Sequence, residues 1–446
     1  MFEQIESAFR SIVSAMQIAQ LYTTAHPRFS KFLDKAYDEL QAILKSQSEL
    51  VFGIVNGELA YGKEIFFDLS KNLSLAIMRL QQKGVERISF YRGLEKKELA
   101  KFIEYLAAPK DEIKKEIEEF LIFSGVKNIS AGRIKSDGAS NKSASEDKDS
   151  RSNLYEASSQ NVSRTLQDVL SDEGVDYLNL RFTLSTVMEN LITNFEEFIK
   201  LTTIKRYNLG TFTHSLNVSI LSMFFSSKLH FVKDDVLEIG IAALFHDLGK
   251  LHISNKIINK PGRLTDEEFA KMQSHTIIGA EVLLKHVNTL GILPVVVSYE
   301  HHLRFGSSGY PKLTFFKEPH VASMIVAICD VYDALYQKRN YKNNFSPDLI
   351  YDIMLKEREK VFDPKLLDKF FSMMGVWPVG AIVSLSDKRI AVVREQNEDD
   401  IWSPKVEVIS PAEAKEKIDL KEKKGQLKIE FALNPWVEGK EYLALI

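Results

Sequence analysis

Residues 241–250 read Ile-Ala-Ala-Leu-Phe-His-Asp-Leu-Gly-Lys, an apolar run that ends on the adjacent pair His246-Asp247. Neighbouring imidazole and carboxylate groups can ligate a metal, and a carboxylate in apolar surroundings is costly unless a metal or hydrogen bonds hold it. Taken alone, the pair reads equally well as a helix end, with the imidazole near the negative pole of the helix dipole and Gly249 just beyond it. The neighbourhood along the chain shifts that balance. His214, His275, the doublet His301-His302 and Asp330 recur at intervals of 26 to 32 residues, and five of the ten histidines fall in this set. Such spacing lets each come from a different helix of one bundle and converge, as bundle metal sites do.

Each partner also has an ordinary reading. His214, in Thr-Phe-Thr-His-Ser, and His275, in Gln-Ser-His-Thr, would singly pass for helix or surface histidines. The doublet follows Val295-Val296-Val297-Ser298-Tyr299-Glu300, a buried helical turn running out into a polar loop, where two imidazoles can face a cleft. Asp330 follows Ile325-Val326-Ala327-Ile328-Cys329, so its carboxylate joins an apolar helix and needs a partner. Together they offer what two close divalent ions require: neutral imidazoles, hard carboxylates and one ligand to share.

At 446 residues and 45% hydrophobic, the chain has room for about three domains and a sizeable core. Its formal charge of −3 and 27% charged residues give no general attraction to a DNA or RNA polymer or to a membrane. Any anionic ligand must therefore be held locally. A single cysteine, Cys329, excludes an internal disulfide and fits a reducing compartment. The opening Met1-Phe-Glu-Gln-Ile-Glu-Ser7 lacks a basic leader and a cleavage site, and no apolar run reaches the 18 or so residues of a spanning helix. The expectation is a soluble, cytoplasmic protein.

Residues 1–45 carry helical periodicity through Phe2, Ile5, Phe9, Ile12 and Met16. Val51–Phe67 reads as strands around an Asn56-Gly57 type I′ hairpin, with a third strand at Arg87–Tyr91. Residues 1–130 are thus expected to form a small α+β domain with a sensory or regulatory role. Residues 131–160 hold eight serines and almost no large apolar side chains, which predicts a flexible linker. Residues 161–375 return to helical patterning, including Val236–Leu248 and Val321–Gln337, and predict a helical metal domain. Short β-branched runs in 376–446, among them 376–380, 381–385, 389–393 and 405–409, predict a small β-rich appendage. The fold class is mainly α.

His246-Asp247-Leu-Gly-Lys250, Lys260-Pro-Gly-Arg-Leu-Thr with Glu268 and His275, His301-His302-Leu-Arg-Phe-Gly-Ser-Ser-Gly309-Tyr310-Pro311, and Asp330-Val-Tyr-Asp333 followed by Arg339-Asn-Tyr-Lys342 resemble the HD-GYP family across about residues 205–350. That family is a bacterial branch of the HD metal-dependent phosphohydrolases, whose usual substrate is cyclic di-GMP. The resemblance implies an HD-type helical bundle with two divalent ions, iron or manganese. One would be held by His214, His246 and Asp330, the other by His275, His301 and His302, with Asp247 bridging. It implies hydrolysis of the diester by a hydroxide bridging the ions, with Lys250 near the scissile phosphate. Gly309 and Tyr310 would line the nucleotide site, and Arg339 and Lys342 would bind ligand phosphates. Apart from that resemblance, a homodimer or a protein signalling partner is an open expectation.

The chain departs from the family pattern at Leu303, where a glutamate is usual, and at Gly306-Ser307, where Asp-Gly is usual. It also has Gly210 where some members carry a third-metal glutamate, which favours two ions. Loss of acidic groups beside metal ligands lowers activity. A second reading therefore stands beside the phosphodiesterase: a receptor or interaction module that holds cyclic di-GMP without cleaving it. A third, an HD-fold di-iron oxygenase, fits the ligand types but not the Gly-Tyr-Pro and Arg339/Lys342 features.

Overall fold

Asn56 and Gly57, with φ of 53° and 80°, make the left-handed turn that a type I′ hairpin requires. In this computed structural model they join β1 (Glu49–Val55) to β2 (Glu58–Tyr61), with Val55 opposite Glu58 and Gly53 opposite Ala60. The structure describes residues 2–134, 148–189 and 211–445, apart from 23, 25, 63, 110–112, 114, 172–174, 307, 314–317, 338–344, 412–415 and 435–437. Two compact units result, Met1–Ser136 with Asp176–Phe182, and Asp137–Val175 with Thr183–Ile446.

In the first unit β3 (Glu64–Ile65), β4 (Arg87–Tyr91) and β5 (Ile129–Gly132) complete an antiparallel sheet of order β3-β2-β1-β4-β5. The periodicity of residues 1–45 resolves into two helices, Phe2–Tyr22 and Pro27–Ser46. The break has a local cause: Pro27 is tolerated only in a first turn, and the His26 side chain accepts the Arg28 N–H at 3.1 Å. With Lys96–Ala107 these helices enclose a core in which Phe9, Phe52, Phe90 and Phe102 meet in succession, the first pair tilted and the others edge to face, with ring centroids 5.3, 6.2 and 6.0 Å apart.

The second unit begins inside the stretch expected to be a linker. A helix spans Lys148–Leu170, and β5 already takes up residues 131–132, so only 135–147 of that stretch lie outside the described residues. From Ser158 on, this helix buries Asn161, Val162, Thr165, Leu166 and Val169 at helical steps. Asn161 onward falls in the stretch read as helical; within the linker stretch Ser158 and Ser159 are buried, small polar side chains that composition does not mark as core. Helices Thr211–Lys228, Lys233–Phe245, His275–Lys285, Leu293–Glu300 and Val321–Gln337 then pack on one another around the apolar core.

The C-terminal strands β6 (Ile382–Leu385), β7 (Ile390–Glu395), β8 (Lys405–Ser410), β9 (Lys417–Asp419) and β10 (Ile429–Ala432) form an antiparallel sheet of order β10-β6-β7-β8-β9. Residues 376–380 are buried but form no strand, since Pro378 cannot donate to a ladder and Gly380 has φ 84°. Among the described residues no helix is long and apolar enough to cross a membrane.

Candidate metal centre

The motif pair lies where a helix ends. Lys233–Phe245 stops at His246, the short 3₁₀ helix Leu248–His252 follows, and Asp247 sits at the joint. This joint can lie close to the helix His275–Lys285 only because glycines face each other. A Cβ on Gly249 would stand 2.0 Å from the His275 carbonyl oxygen and 2.7 Å from the Gly279 nitrogen, and one on Gly279 would stand 2.4 Å from Ser298 Oγ. Ser298 in turn donates to the His246 carbonyl at 3.2 Å, joining the helix Leu293–Glu300 to the pair. His275 opens its helix, His301 caps the end of Leu293–Glu300, and Asp330 lies mid-way along Val321–Gln337.

Four separate stretches thus converge on Asp247. Its Oδ2 lies 3.3 Å from His246 Nε2 and 3.8 Å from His214 Nε2, while its Oδ1 lies 3.4 Å from His275 Nε2 and 3.6 Å from His301 Nε2. Donor atoms of His214, His246 and Asp330 lie within 4.8 Å of one another, as do those of Asp247, His275, His301 and His302. The side chains hold these positions from behind. His246, His275 and His301 donate Nδ1–H to backbone carbonyls of Ala243, Met272 and Ser298 at 2.7, 2.6 and 3.0 Å. Their Nε2 lone pairs therefore point inward.

That arrangement fits divalent ions. His275 Nε2 and His301 Nε2 face each other at 3.3 Å, lone pair toward lone pair, a contact that needs a cation or proton between them. His246 Nε2 and Asp247 Oδ1 are buried with no hydrogen-bond partner. Buried polar atoms without a partner are rare, and metal ligation is one of the explanations for them.

The electrostatics divide His214, His246, His275 and His302 into two kinds. Burial pulls His214 down, but hydrogen bonds and charge from Asp330 and Asp333 outweigh it and carry it up to about 10. His246 is likewise pulled down by burial yet raised to about 9 by Asp247 and Asp330. Burial dominates at His275, lowered to about 4, and at His302, lowered to about 2 with the help of His301. Asp247 and Asp330 lie well below the carboxylate range: burial opposes ionisation, but Lys250 and His246 hold the first ionised, and His214 and His246 the second.

Lys250 meets Asp247, with Nζ 2.5 Å from Oδ2 and the side chain 27% exposed. Gly309 has φ +96°, and a Cβ there would stand 2.3 Å from the His302 carbonyl oxygen. Its loop returns on itself through the Leu303–Gly309 bridge and the Tyr310 N–H bond to His302 O at 3.3 Å. The Tyr310 ring then lies on His302, centroids 4.5 Å apart and 35° from parallel. It touches an imidazole of the cluster, while Phe269 meets it edge-on at 6.2 Å. Leu303 is buried. Arg339 and Lys342 lie outside the described residues.

Two buried carboxylates carry structure that the sequence reading did not assign. Asp333 accepts His214 Nδ1–H at 2.8 Å. Glu300 accepts the His320 backbone N–H at 2.7 Å and the Ser323 hydroxyl at 3.0 Å, tying the start of the 301–320 segment to its end. Asp333 had a signal: it stands three residues after Asp330 on one apolar helix, hence on the same face. Glu300 had none, because its partners lie 20 and 23 residues on.

A helical domain whose buried histidines and aspartates converge from separate helices has the form of a metal-binding domain. Residues 186–366 match a family model described as an HD domain. The chain is 31% identical over 249 residues to a cyclic di-GMP phosphodiesterase of Pseudomonas aeruginosa, covering 56% of this chain and 60% of the relative. It is 30% identical over 198 residues to a cyclic di-GMP phosphodiesterase of Thermotoga maritima, covering 43% of this chain and 54% of the relative. A 3′3′-cGAMP-specific phosphodiesterase of Vibrio cholerae is 34% identical over 127 residues, 28% of this chain and 24% of that protein. The chain thus spans somewhat over half the length of the first two relatives. Residues 186–366 thus carry an HD domain, in a chain similar to cyclic di-GMP phosphodiesterases over that region.

Proposed function

We propose that the chain is a two-metal phosphodiesterase that hydrolyses cyclic di-GMP in bacterial cytoplasmic second-messenger signalling. The observation that carries this reading is Asp247, with one carboxylate oxygen toward each of two converging ligand sets. His214, His246 and Asp330 would hold one ion and His275, His301 and His302 the other, with Asp247 between them. Iron or manganese suits this mixed nitrogen and oxygen set. Such ions, when bound, polarise phosphoryl oxygens and bring the pKa of water near neutrality, supplying a hydroxide nucleophile.

The residues of the chain supply the rest. Backbone carbonyls behind His246, His275 and His301 keep the imidazoles aimed before substrate arrives, so no reorganisation is needed during reaction. The Lys250 ammonium, partly exposed beside Asp247, would offset charge developing on the phosphate. Tyr310, already stacked on His302, would offer its other surface to a base. Arg339 and Lys342 would bind the phosphates by fork and point charge. The N-terminal unit, by its position ahead of the metal domain, would serve regulatory input or partner binding.

A second reading, a receptor that binds without turnover, is favoured by Leu303, a buried apolar side chain beside the imidazole doublet. Protein loaded anaerobically with iron or manganese is expected to linearise cyclic di-GMP, and Asp247→Ala to abolish this. Tight binding of the dinucleotide without cleavage, in wild type and Leu303→Glu alike, would leave the receptor as the function. Absence of both metal and dinucleotide binding would sink both readings.

A further inference from the structure

The imidazoles of the centre differ in what stands behind them. Three donate Nδ1–H to backbone carbonyls, whereas His214 donates to a carboxylate, Asp333 Oδ2, at 2.8 Å. Asp333 is fully buried, and its other oxygen accepts from Asn217 Nδ2 at 3.3 Å. The geometry is a two-rung ladder. One helix presents Asp330 and Asp333 at a three-residue step, and the helix opposite presents His214 and Asn217 at the same step.

Charge is therefore distributed unevenly. The set His214, His246 and Asp330 faces one oxygen of Asp247, contains a carboxylate of its own, and has a further carboxylate directly behind an imidazole, two negative charges against the single Lys250 ammonium on that same oxygen. The set His275, His301 and His302 faces the other oxygen of Asp247, and the Nδ1 atoms of His275 and His301 are held by neutral carbonyls. A carboxylate behind a ligating imidazole fixes its tautomer, raises its basicity and commonly contributes 10–100-fold in metal affinity. Charge interactions also reach further in a buried site than in water.

Resting on the reading of a two-ion centre, we propose that the two ion positions are unequal and that Asp333 is the positioning residue that makes them so. It holds His214 with Nε2 facing the centre and makes the His214/His246/Asp330 position the tighter one, filled first. Asp333 touches no reacting atom. Its effect runs through the orientation and charge of His214.

The test is a Mn²⁺ titration of the full metal-free chain, followed by equilibrium dialysis and by electron paramagnetic resonance, which separates isolated ions from a coupled pair. Wild type is expected to take up two ions in two resolved steps, the coupled signal arising only in the second. In Asp333→Asn, nearly isosteric but uncharged, the first step should weaken about 10–100-fold while the second moves little, merging the two. Ser219→Ala removes a buried hydrogen bond of the same helix, Ser219 Oγ to Gly240 O at 2.7 Å, and should leave both steps in place. Should Asp333→Asn not fold, Asn217→Ala carries the test, with a smaller weakening of the first step alone expected. Unchanged steps in the Asp333 or Asn217 variant, equal weakening of both, or loss of the first step in Ser219→Ala as well, would overturn the role of Asp333. Two wild-type ions bound in indistinguishable steps overturn the inequality alone. Fewer than two overturn the two-ion reading itself, and this inference with it.

Discussion

At Asp247 a single carboxylate divides its oxygens between two sets of donors, and the consequences of changing it differ in kind from those of its neighbours. Asp247→Asn keeps the shape and removes the shared charge. If the proposed two-ion centre holds, metal analysis after dialysis should show both ions lost, an affinity drop beyond the roughly 100-fold that an outer partner contributes. Lys250→Met is expected to act on rate instead. Its ammonium is partly exposed and touches Asp247 from outside the donor sets, so metal content should persist while turnover falls about 100- to 1,000-fold. Parallel loss of metal in that variant would make Lys250 a support for Asp247 only. At this scale the sequence was informative about identities, because chemistry narrows which residues can bind metal. It placed Asp333 on the face of Asp330 without showing its partner His214, and it was silent on Glu300 and its partner His320, because both pairings are determined by packing.

Elements bring these residues to one place, and the tightest contact is between the 3₁₀ helix after Asp247 and the helix that His275 begins. Gly249→Ala would force a Cβ to 2.0 Å from backbone that cannot rotate away. Overpacking of this sort costs about 1–3 kcal/mol or more. A lowered denaturation midpoint accompanied by weaker metal binding is expected, because the shift that relieves the clash separates His275 from Asp247. A wild-type midpoint would show that the two elements are free to part. Legibility at this scale followed the range of the interactions. The Asn56-Gly57 hairpin was readable because its cause lies in two adjacent residues, whereas β9 and β10 are short and defined by pairing with β8 and β6. The helix within the supposed linker was hidden for a related reason: small polar side chains at Ser158 and Ser159 are buried by neighbours that composition does not reveal.

Over the whole molecule, two separate cores imply two unfolding events, and only one of them contains the metal centre. Calorimetry should resolve two transitions, with Mn²⁺ raising the midpoint of one. A single transition moving as one would contradict independent units. Acidity should act on the metal-free protein in both directions from the ordinary histidine value of 6.5. His275 and His302 are held at about 4 and about 2, so on acidification below 6.5 the unfolded chain takes up protons that the folded chain refuses, and stability falls. His214 and His246 are carried to about 10 and about 9, so above 6.5 the folded chain keeps protons that the unfolded chain has released, and stability falls again as pH rises. The chelated protein should therefore melt highest near pH 6.5, and a midpoint rising steadily from pH 6.5 to 9 would refute this balance. The sequence by itself determined the helical character of the metal domain, the hairpin, and which histidines and aspartates could share ions, since these follow from local conformation and functional-group chemistry. Only the tertiary structure decided that one oxygen of Asp247 faces each ligand set and that a carboxylate stands behind His214 alone among the imidazoles whose Nδ1 bonds are described. Those relations depend on how helices more than a hundred residues apart meet, and on glycines that let them approach.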